Sequence, residues 1–240
     1  MILKDISFSD PIDNILYDEA LLQLAEQGAI PEVLRLWESS RIFIVLGRTS
    51  ILSDDVHVEE VRRSGVPVLR RRSGGGTVIQ GPGCLNFSLI LSKKKREQIM
   101  NLHQSYRYVL ERVAGALKTL GIEACPRPVS DLVLMPGEYK ISGNAQHRGR
   151  NFILHHGTLL YDFDLSLIDR YLTFPKSVPE YRRGRSHQDF VRNFSIPVSS
   201  LRSALIQIFS AKGGDPGGLS EREKSLLKQL GQRGLVSIDA

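Results

Sequence analysis

The sequence predicts an α+β protein built around a sheet. Three observations carry this. Candidate strands cluster instead of alternating regularly with helices. One long amphipathic helix separates two groups of strands. The chain shows no internal repeat at a 20–50 residue period and no apolar run of the roughly 18 residues needed to cross a bilayer. With 240 residues it is long enough for one sizeable core.

Asp10-Pro11 reads as an N-cap followed by a first-turn proline. Ile12, Ile15, Leu16, Ala20 and Leu24 then recur at helical spacing. Strands are expected over residues 34–37 and 42–46. The second is nearly all apolar, as a strand buried on both faces should be. A short helix over 56–63 and a short strand over 66–69 follow. Leu85, Phe87, Leu89 and Leu91 alternate with Asn86, Ser88 and Ile90, a strand with one polar edge. After a basic loop at 93–96, Leu102, Tyr106, Val109, Leu110, Val113, Ala116, Leu117 and Leu120 form the apolar stripe of the long helix. Gly121 closes it.

Further strands are expected over 132–135, 140–146 and 152–161, with Pro136-Gly137 turning between the first two. A short helix at 165–172 precedes a polar stretch, 175–192, that reads as a long surface loop. Two helices end the chain, at 200–209 and 221–230. Ser220 and Glu223 form a capping box for the second, and the glycine-rich residues 213–218 make a flexible linker between them.

The net charge is +6 and the pI about 9.4. A basic balance suits an anionic partner: nucleic acid, a nucleotide or an acidic protein. Aromatic residues make up only 7% and are not interleaved with the basic ones, which argues against a single-strand nucleic-acid surface. Cys84 and Cys125 form no CxxC or zinc pattern. The first ten residues do not read as a secretory signal, so the expected setting is a reducing cytoplasm with no structural disulfide.

Four places can carry chemistry. Arg70-Arg71-Arg72-Ser73-Gly74-Gly75-Gly76-Thr77 joins fixed positive charge to a glycine triplet. Three consecutive glycines are costly in backbone entropy, and such a loop suits a ligand that must approach the backbone closely. Arginines beside it can grip an anion. Lys140-Ile141-Ser142-Gly143-Asn144 sets a lysine beside a close backbone approach. His155 and His156 point to opposite faces of a strand, which disfavours a shared metal. Cys125, on a proline-bounded loop near Arg127, is either a nucleophile with a lowered pKa or a plain loop or core cysteine.

Taken in order, these segments resemble a known family. Residues 14–20, Leu36-Trp37, Ile44-Val45-Leu46-Gly47-Arg48, Arg71 to Val78, Leu85-Asn86-Phe87-Ser88, Ser130-Asp131-Leu132-Val133, Lys140 to Ala145 and His155-His156-Gly157-Thr158-Leu159-Leu160 are similar to the lipoate–protein ligase family, within the biotin and lipoate ligases. The resemblance spans about residues 10–195. It implies a mixed or antiparallel sheet flanked by helices, with a catalytic domain over 1–197 and a short helical tail over 198–240. It also implies activation of lipoate or octanoate with ATP as an acyl-adenylate, Mg2+ as the metal, and transfer to a lysine of a lipoyl domain or a glycine-cleavage H-like protein.

By the same resemblance Lys140 is the catalytic lysine, holding the carboxylate and the charge that develops on the adenylate. Arg71, Arg72, Ser73, Gly74, Gly75, Gly76 and Thr77 cover acyl chain and phosphate. Asn86 and Asp131 lie near nucleotide and metal, with Asp131 a hard oxygen ligand for magnesium. Gly143, Asn144, His156, Gly157 and Thr158 line the same pocket.

Departures stand beside this. Where family ligases carry a His-Asp pair after the glycine loop, this chain reads Ile79-Gln80-Gly81-Pro82. Larger ligases carry a C-terminal accessory domain that closes over the adenylate; here only a two-helix tail follows the match, so either an accessory subunit supplies the rest or the small form works alone. A related branch transfers octanoyl groups from acyl carrier protein without ATP. It uses a cysteine before the lysine, and Cys125 lies 15 residues before Lys140 in a similar setting. A third reading is a non-catalytic domain that binds an acyl chain or RNA, the latter through Arg182-Arg183-Gly184-Arg185. That run suits an acidic acceptor domain or a solvated loop better, and no membrane partner is expected.

Overall fold

The computed structural model describes residues 1–128, 130–213 and 218–232, and the backbone of 237–238. In chain order the strands are β1 (Ile2–Asp5), β2 (Val33–Trp37), β3 (Phe43–Leu46), β4 (Val68–Arg70), β5 (Val78–Gln80), β6 (Cys84–Ser92), β7 (Ala124–Arg127), β8 (Asp131–Leu134), β9 (Tyr139–Arg148), β10 (Phe152–Leu160) and β11 (Ser237–Ile238). The helices are α1 (Pro11–Glu26), α2 (Leu52–Asp55), α3 (Val58–Ser64), α4 (Leu102–Thr119), α5 (Ser166–Tyr171), α6 (His187–Phe190), α7 (Val198–Ile208) and α8 (Glu221–Gln232).

Two mixed sheets form, bearing out the α+β expectation. The larger has the order β1-β2-β6-β10-β9-β8-β7, the smaller β11-β4-β3-β5. Among the described strands only β1–β2 and β3–β4 pair parallel; each such pair is joined through a helical crossover, as parallel strands require. On one face of the large sheet, Leu85, Phe87, Leu89 and Leu91 pack against Val109, Val113 and Leu117 of α4 and Leu201 and Leu205 of α7. On the other, Ile90 and Leu154 pack with Leu21 and Ala25 of α1 and with Phe43, Val45 and Leu69 of the small sheet.

Local chemistry explains the elements. Asp10 accepts a hydrogen bond from Ile12 N at 2.9 Å and caps α1. Asn101 caps α4, and Gly121 takes φ +78° just past its end. The capping box is present: Glu223 N donates to Ser220 Oγ at 3.3 Å, and Ser220 N donates to Glu223 Oε2 at 2.7 Å.

Four features differ from the sequence reading. The polar positions of β6 do not form an exposed edge, because α1 and the small sheet bury Asn86 and Ser88. Strands β1, β5 and β7 are too short to announce themselves. β7 contains Pro126, which an edge strand tolerates, so Cys125 lies in a strand and not a loop. The stretch 175–192 holds a 3₁₀ turn at Glu180–Arg182 and helix α6, with Arg182 and Phe190 buried. The 197/198 boundary falls at the start of α7, which shares its core with α4. Residues 214–217 of the expected linker lie outside the described residues.

Candidate active site

The site lies on the face of the large sheet that α1 and the glycine loop cover. Residues paired across neighbouring strands share a face. One such row runs Asp131–Gly143–Thr158–Asn86–Trp37, and the next Ala145–His156–Ser88–Arg35. Lys140 pairs with Val133 beyond a register shift and points to the same side. Its amine sits 2.8 Å from Asp131 Oδ1, and the Asp131 side chain is only 9% exposed. A Cβ on Gly143 would lie 3.4 Å from Lys140 Cε, so the lysine stem rests over the glycine. Lys140 keeps 31% of its side chain exposed, enough to meet a ligand.

The second oxygen of Asp131 accepts from Tyr181, whose hydroxyl is 2.6 Å away. Burial, reinforced by the Asp131 charge, pushes the Tyr181 hydroxyl far above its ordinary pKa, so it stays a donor. Tyr181 lies in the stretch read as a surface loop and was invisible to sequence reasoning.

Arg71 organises the glycine loop. It is buried, and its guanidinium donates to Gly74 O at 2.8 Å, Gly76 O at 2.7 Å, Val45 O at 3.2 Å and Ser73 Oγ at 3.0 Å. Burial lowers its pKa to about 10, still charged at neutral pH. Arg71 thus shapes the loop, where the sequence suggested a direct grip on an anion. Arg72 pairs with Glu19 at 3.0 Å on the rim. Gly75 takes φ +84°. A Cβ on Gly47 would lie 1.9 Å from Gly75 O, so strand end and loop meet backbone to backbone. Thr77 donates to Asp55 Oδ2 at 2.5 Å and anchors the far end of the loop.

A hydrogen-bonded line connects loop and sheet. Arg71 Nε donates to Ser73 Oγ, leaving the hydroxyl proton for His156 Nε2 at 2.7 Å. His156 Nδ1 faces Asp18 Oδ2 at 3.8 Å. Asp18 also receives Ser88 Oγ at 2.6 Å and Arg35 Nη1 at 2.6 Å. Burial pushes the Asp18 carboxyl up, but Arg35, His156 and Ser88 outweigh it and hold it below the usual carboxylate range. Asp18 and Arg35 were not singled out in the sequence. The available signal was a charge amid the apolar residues of α1 and an arginine between Leu34 and Leu36.

Buried Asn86 and Gln80, the latter standing near the missing His-Asp pair, form a second group with half-buried Thr158. Thr158 Oγ1 donates to Asn86 Oδ1 at 2.6 Å, Gln80 Nε2 to Thr158 Oγ1 at 2.7 Å, and Asn86 Nδ2 to Gln80 Oε1 at 3.0 Å. Asn144 and Gly157 face the other way, toward α4. There Asn144 donates to Ser130 O at 2.8 Å and meets His155 Nε2 at 3.2 Å. A side chain on Gly157 would collide with Asn144 Oδ1. These two support the site from behind. His155 is fully buried, and burial, with His156 beside it, lowers its pKa to about 3.

A cavity of about 350 Å³ opens beside the loop between α1 and the ends of β9 and β10. Leu22 and Leu154 give it apolar walls; Asp18, Ser73 and His156 give it polar ones. Cys125 pairs with Val133, which pairs with Lys140, so it lies on the Lys140 side of the sheet, roughly 10 Å away between backbones. Arg127 Nη1 donates to its sulfur at 3.1 Å. Among the described residues no group of three or more His, Cys, Asp or Glu is arranged to hold a metal, and no helix is long and apolar enough to cross a membrane.

The fold and site together define a domain of the lipoate ligase architecture. The chain belongs to the lipoyl protein ligase A/B catalytic domain family, which it matches over residues 10–209. It is 27% identical to lipoate-protein ligase A subunit 1 of Thermoplasma acidophilum, over 90% of this chain and 86% of that protein. It is 25% identical to octanoyltransferase LipM of Geobacillus kaustophilus, over 87% and 81%. Some relatives are longer: the chain spans 47% of one from Mycoplasma pneumoniae, with 32% identity. Among solved structures, a bipartite lipoate protein ligase from T. acidophilum, studied with its E2 lipoyl domain, superposes with a TM-score of 0.81 and 25% identity over 97% of this chain and 92% of that one. A lipoate-protein ligase A bound with ATP superposes with a TM-score of 0.79 and 26% identity over 97% and 94%.

Proposed function

We propose that this chain attaches lipoate to a lysine of a lipoyl-acceptor protein in two steps. The acid attacks the α-phosphorus of ATP, forming acyl-AMP and releasing pyrophosphate. The acceptor amine then attacks the acyl carbonyl, forming the amide and releasing AMP. The observation that carries the reading is the Lys140–Asp131 pair, set over Gly143 on the face that the glycine loop covers.

Each residue has a task in this scheme. Lys140 neutralises the acid's carboxylate and the oxygens that gain charge in both steps. The glycine loop, its carbonyls gathered on Arg71, offers backbone to a phosphate. The acyl tail runs past His156 toward the cavity, whose size suits a medium-length chain. Magnesium is commonly held by one or two carboxylates plus substrate phosphates; Asp131 would be the single carboxylate, offering the lone pairs that Lys140 and Tyr181 leave on its oxygens. The ion would neutralise phosphate charge. Relatives named as a subunit and as a bipartite ligase support a second chain that completes the site, with a lipoyl domain as acceptor. The setting is cytoplasmic, where both cysteines remain thiols.

One observation favours a second reading. Cys125 shares the Lys140 face and touches Arg127, so octanoyl transfer through a Cys125 thioester needs testing. Intact mass of an acceptor lipoyl domain decides between them. One reaction contains lipoate, ATP and magnesium; the other contains octanoyl–acyl carrier protein without ATP. A lipoyl mass in the first alone supports the ligase. An octanoyl mass in the second alone overturns it in favour of the transferase.

A further inference from the structure

The stretch between α5 and α7 is held down by its own side chains. Arg182 is 3% exposed and lies between the Phe174 and Phe190 rings, 4.2 and 4.9 Å from their centroids. Its Nε donates to Arg185 O at 2.8 Å. Arg185 in turn donates to Gly137 O at 3.0 Å and Glu138 O at 3.1 Å, on the turn that leads into β9. The Tyr181 ring packs against Phe190 with centroids 5.4 Å apart. These contacts place the Tyr181 hydroxyl against Asp131 Oδ2, opposite the oxygen that faces Lys140.

A lysine amine rides on a flexible stem and loses rotamer freedom when fixed. Its location depends on what it is bonded to. Asp131 is that partner, and a carboxylate held at only one oxygen can rotate about its Cα–Cβ and Cβ–Cγ bonds. The hydrogen bond from Tyr181 to the second oxygen removes that freedom. We propose that Tyr181 is a positioning residue for the acyl-transfer chemistry: it fixes Asp131 and, through it, sets the Lys140 amine. This rests on the reading of Lys140 as the catalytic lysine.

Tyr181→Phe keeps the ring on Phe190 and deletes only the hydroxyl. The test is a double-mutant cycle with Asp131→Ala, read as kcat and KM for the acid, with melting temperature recorded for every variant. Loss of one hydrogen bond to a charged group should lower kcat of Tyr181→Phe by about tenfold or more, with KM for the acid changed less than twofold. The double variant should be no slower than Asp131→Ala alone, because Tyr181 acts through Asp131. Two outcomes overturn the proposal: wild-type kcat in Tyr181→Phe, or a double variant slower than Asp131→Ala by the full Tyr181→Phe factor.

Phe190→Leu loosens the seat of the ring while leaving the hydroxyl in place. It should lower kcat in the wild-type background and leave Tyr181→Phe unchanged; equal losses in both would also sink the idea. Pyrophosphate release by the wild type reports separately on the functional reading. If none appears, the cycle is run on octanoyl transfer, where Lys140 holds the same carbonyl.

Discussion

Lys140 and Cys125 lie on one face of the sheet two strands apart, and their substitutions separate the two chemistries. Lys140→Ala removes the only cation placed on Asp131 by a side-chain bond among the described residues. Loss of a donor aimed at developing charge lowers turnover by about 10²–10³-fold or more. Transfer to the acceptor, followed by mass, should fall by at least that factor with either acyl donor. Cys125→Ser should leave ATP-dependent lipoyl transfer within about twofold of wild type, since that path forms no thioester; the same variant assayed with octanoyl carrier protein would lose all activity if the sulfur were the nucleophile. Gly157→Ala acts at the same scale by a different route. The new Cβ would meet Asn144 Oδ1 at 1.9 Å and Phe87 Cζ at 2.7 Å. Overpacking of this kind costs about 1–3 kcal/mol, which a urea midpoint should register.

At the scale of elements, α8 packs Leu226, Leu227 and Leu230 into the core beside α1 and is also tied down by a buried carboxylate. Glu223 is 1% exposed, lies 2.9 Å from the buried Lys4 amine, and accepts Tyr17 OH at 2.8 Å. Replacing Glu223 by Ala leaves Lys4 buried without its counter-charge, a loss of about 3–5 kcal/mol. For a domain of this size the melting midpoint should drop by on the order of 10 °C. A change under 2 °C would mean that Lys4 rehydrates without penalty. The sequence exposed α1, α4 and α8 well, because caps and apolar periodicity are local. It hid β1, β5 and β7, which are three or four residues long; β1 and β5 are held by neighbours distant in the chain, and Pro126 masks β7. The site divided the same way. Lys140, Ser73 and the glycines belong to contiguous motifs and could be read directly. Tyr181, Asp18 and Arg35 matter through partners 50, 70 and 17 residues away; a charge among apolar neighbours marks the last two locally but names no partner. Arg71 was found as a residue, but its task was not, since five donors beside glycines look the same whether they face a ligand or the loop's own carbonyls.

At the scale of the molecule, His155 couples the fold to pH. Buried between Gln146 and Asn144, it refuses a proton until about pH 3, whereas the unfolded chain accepts one near 6.5. The folded pKa is the depressed one. Stability therefore falls as pH drops below about 6.5, by up to about 1.4 kcal/mol per pH unit from this group. Denaturation midpoints at pH 7 and pH 5 should differ accordingly, and His155→Gln should shrink the difference; an unchanged slope would assign the loss to other groups. The bond from Lys4 to Glu223 spans 219 positions in the chain, and Leu3 N donates to Lys212 O at 3.2 Å on the same edge. During synthesis from the N-terminus β1 can pair with β2 early, but its outer edge waits for Lys212 and the Lys4 amine for Glu223. At about 5–20 residues per second, that edge waits on the order of ten seconds or more. The outer edge of β1 is therefore covered only when α8 has emerged, and until then a nascent chain offers that edge to whatever chaperone, or neighbouring ribosome's product, meets it first.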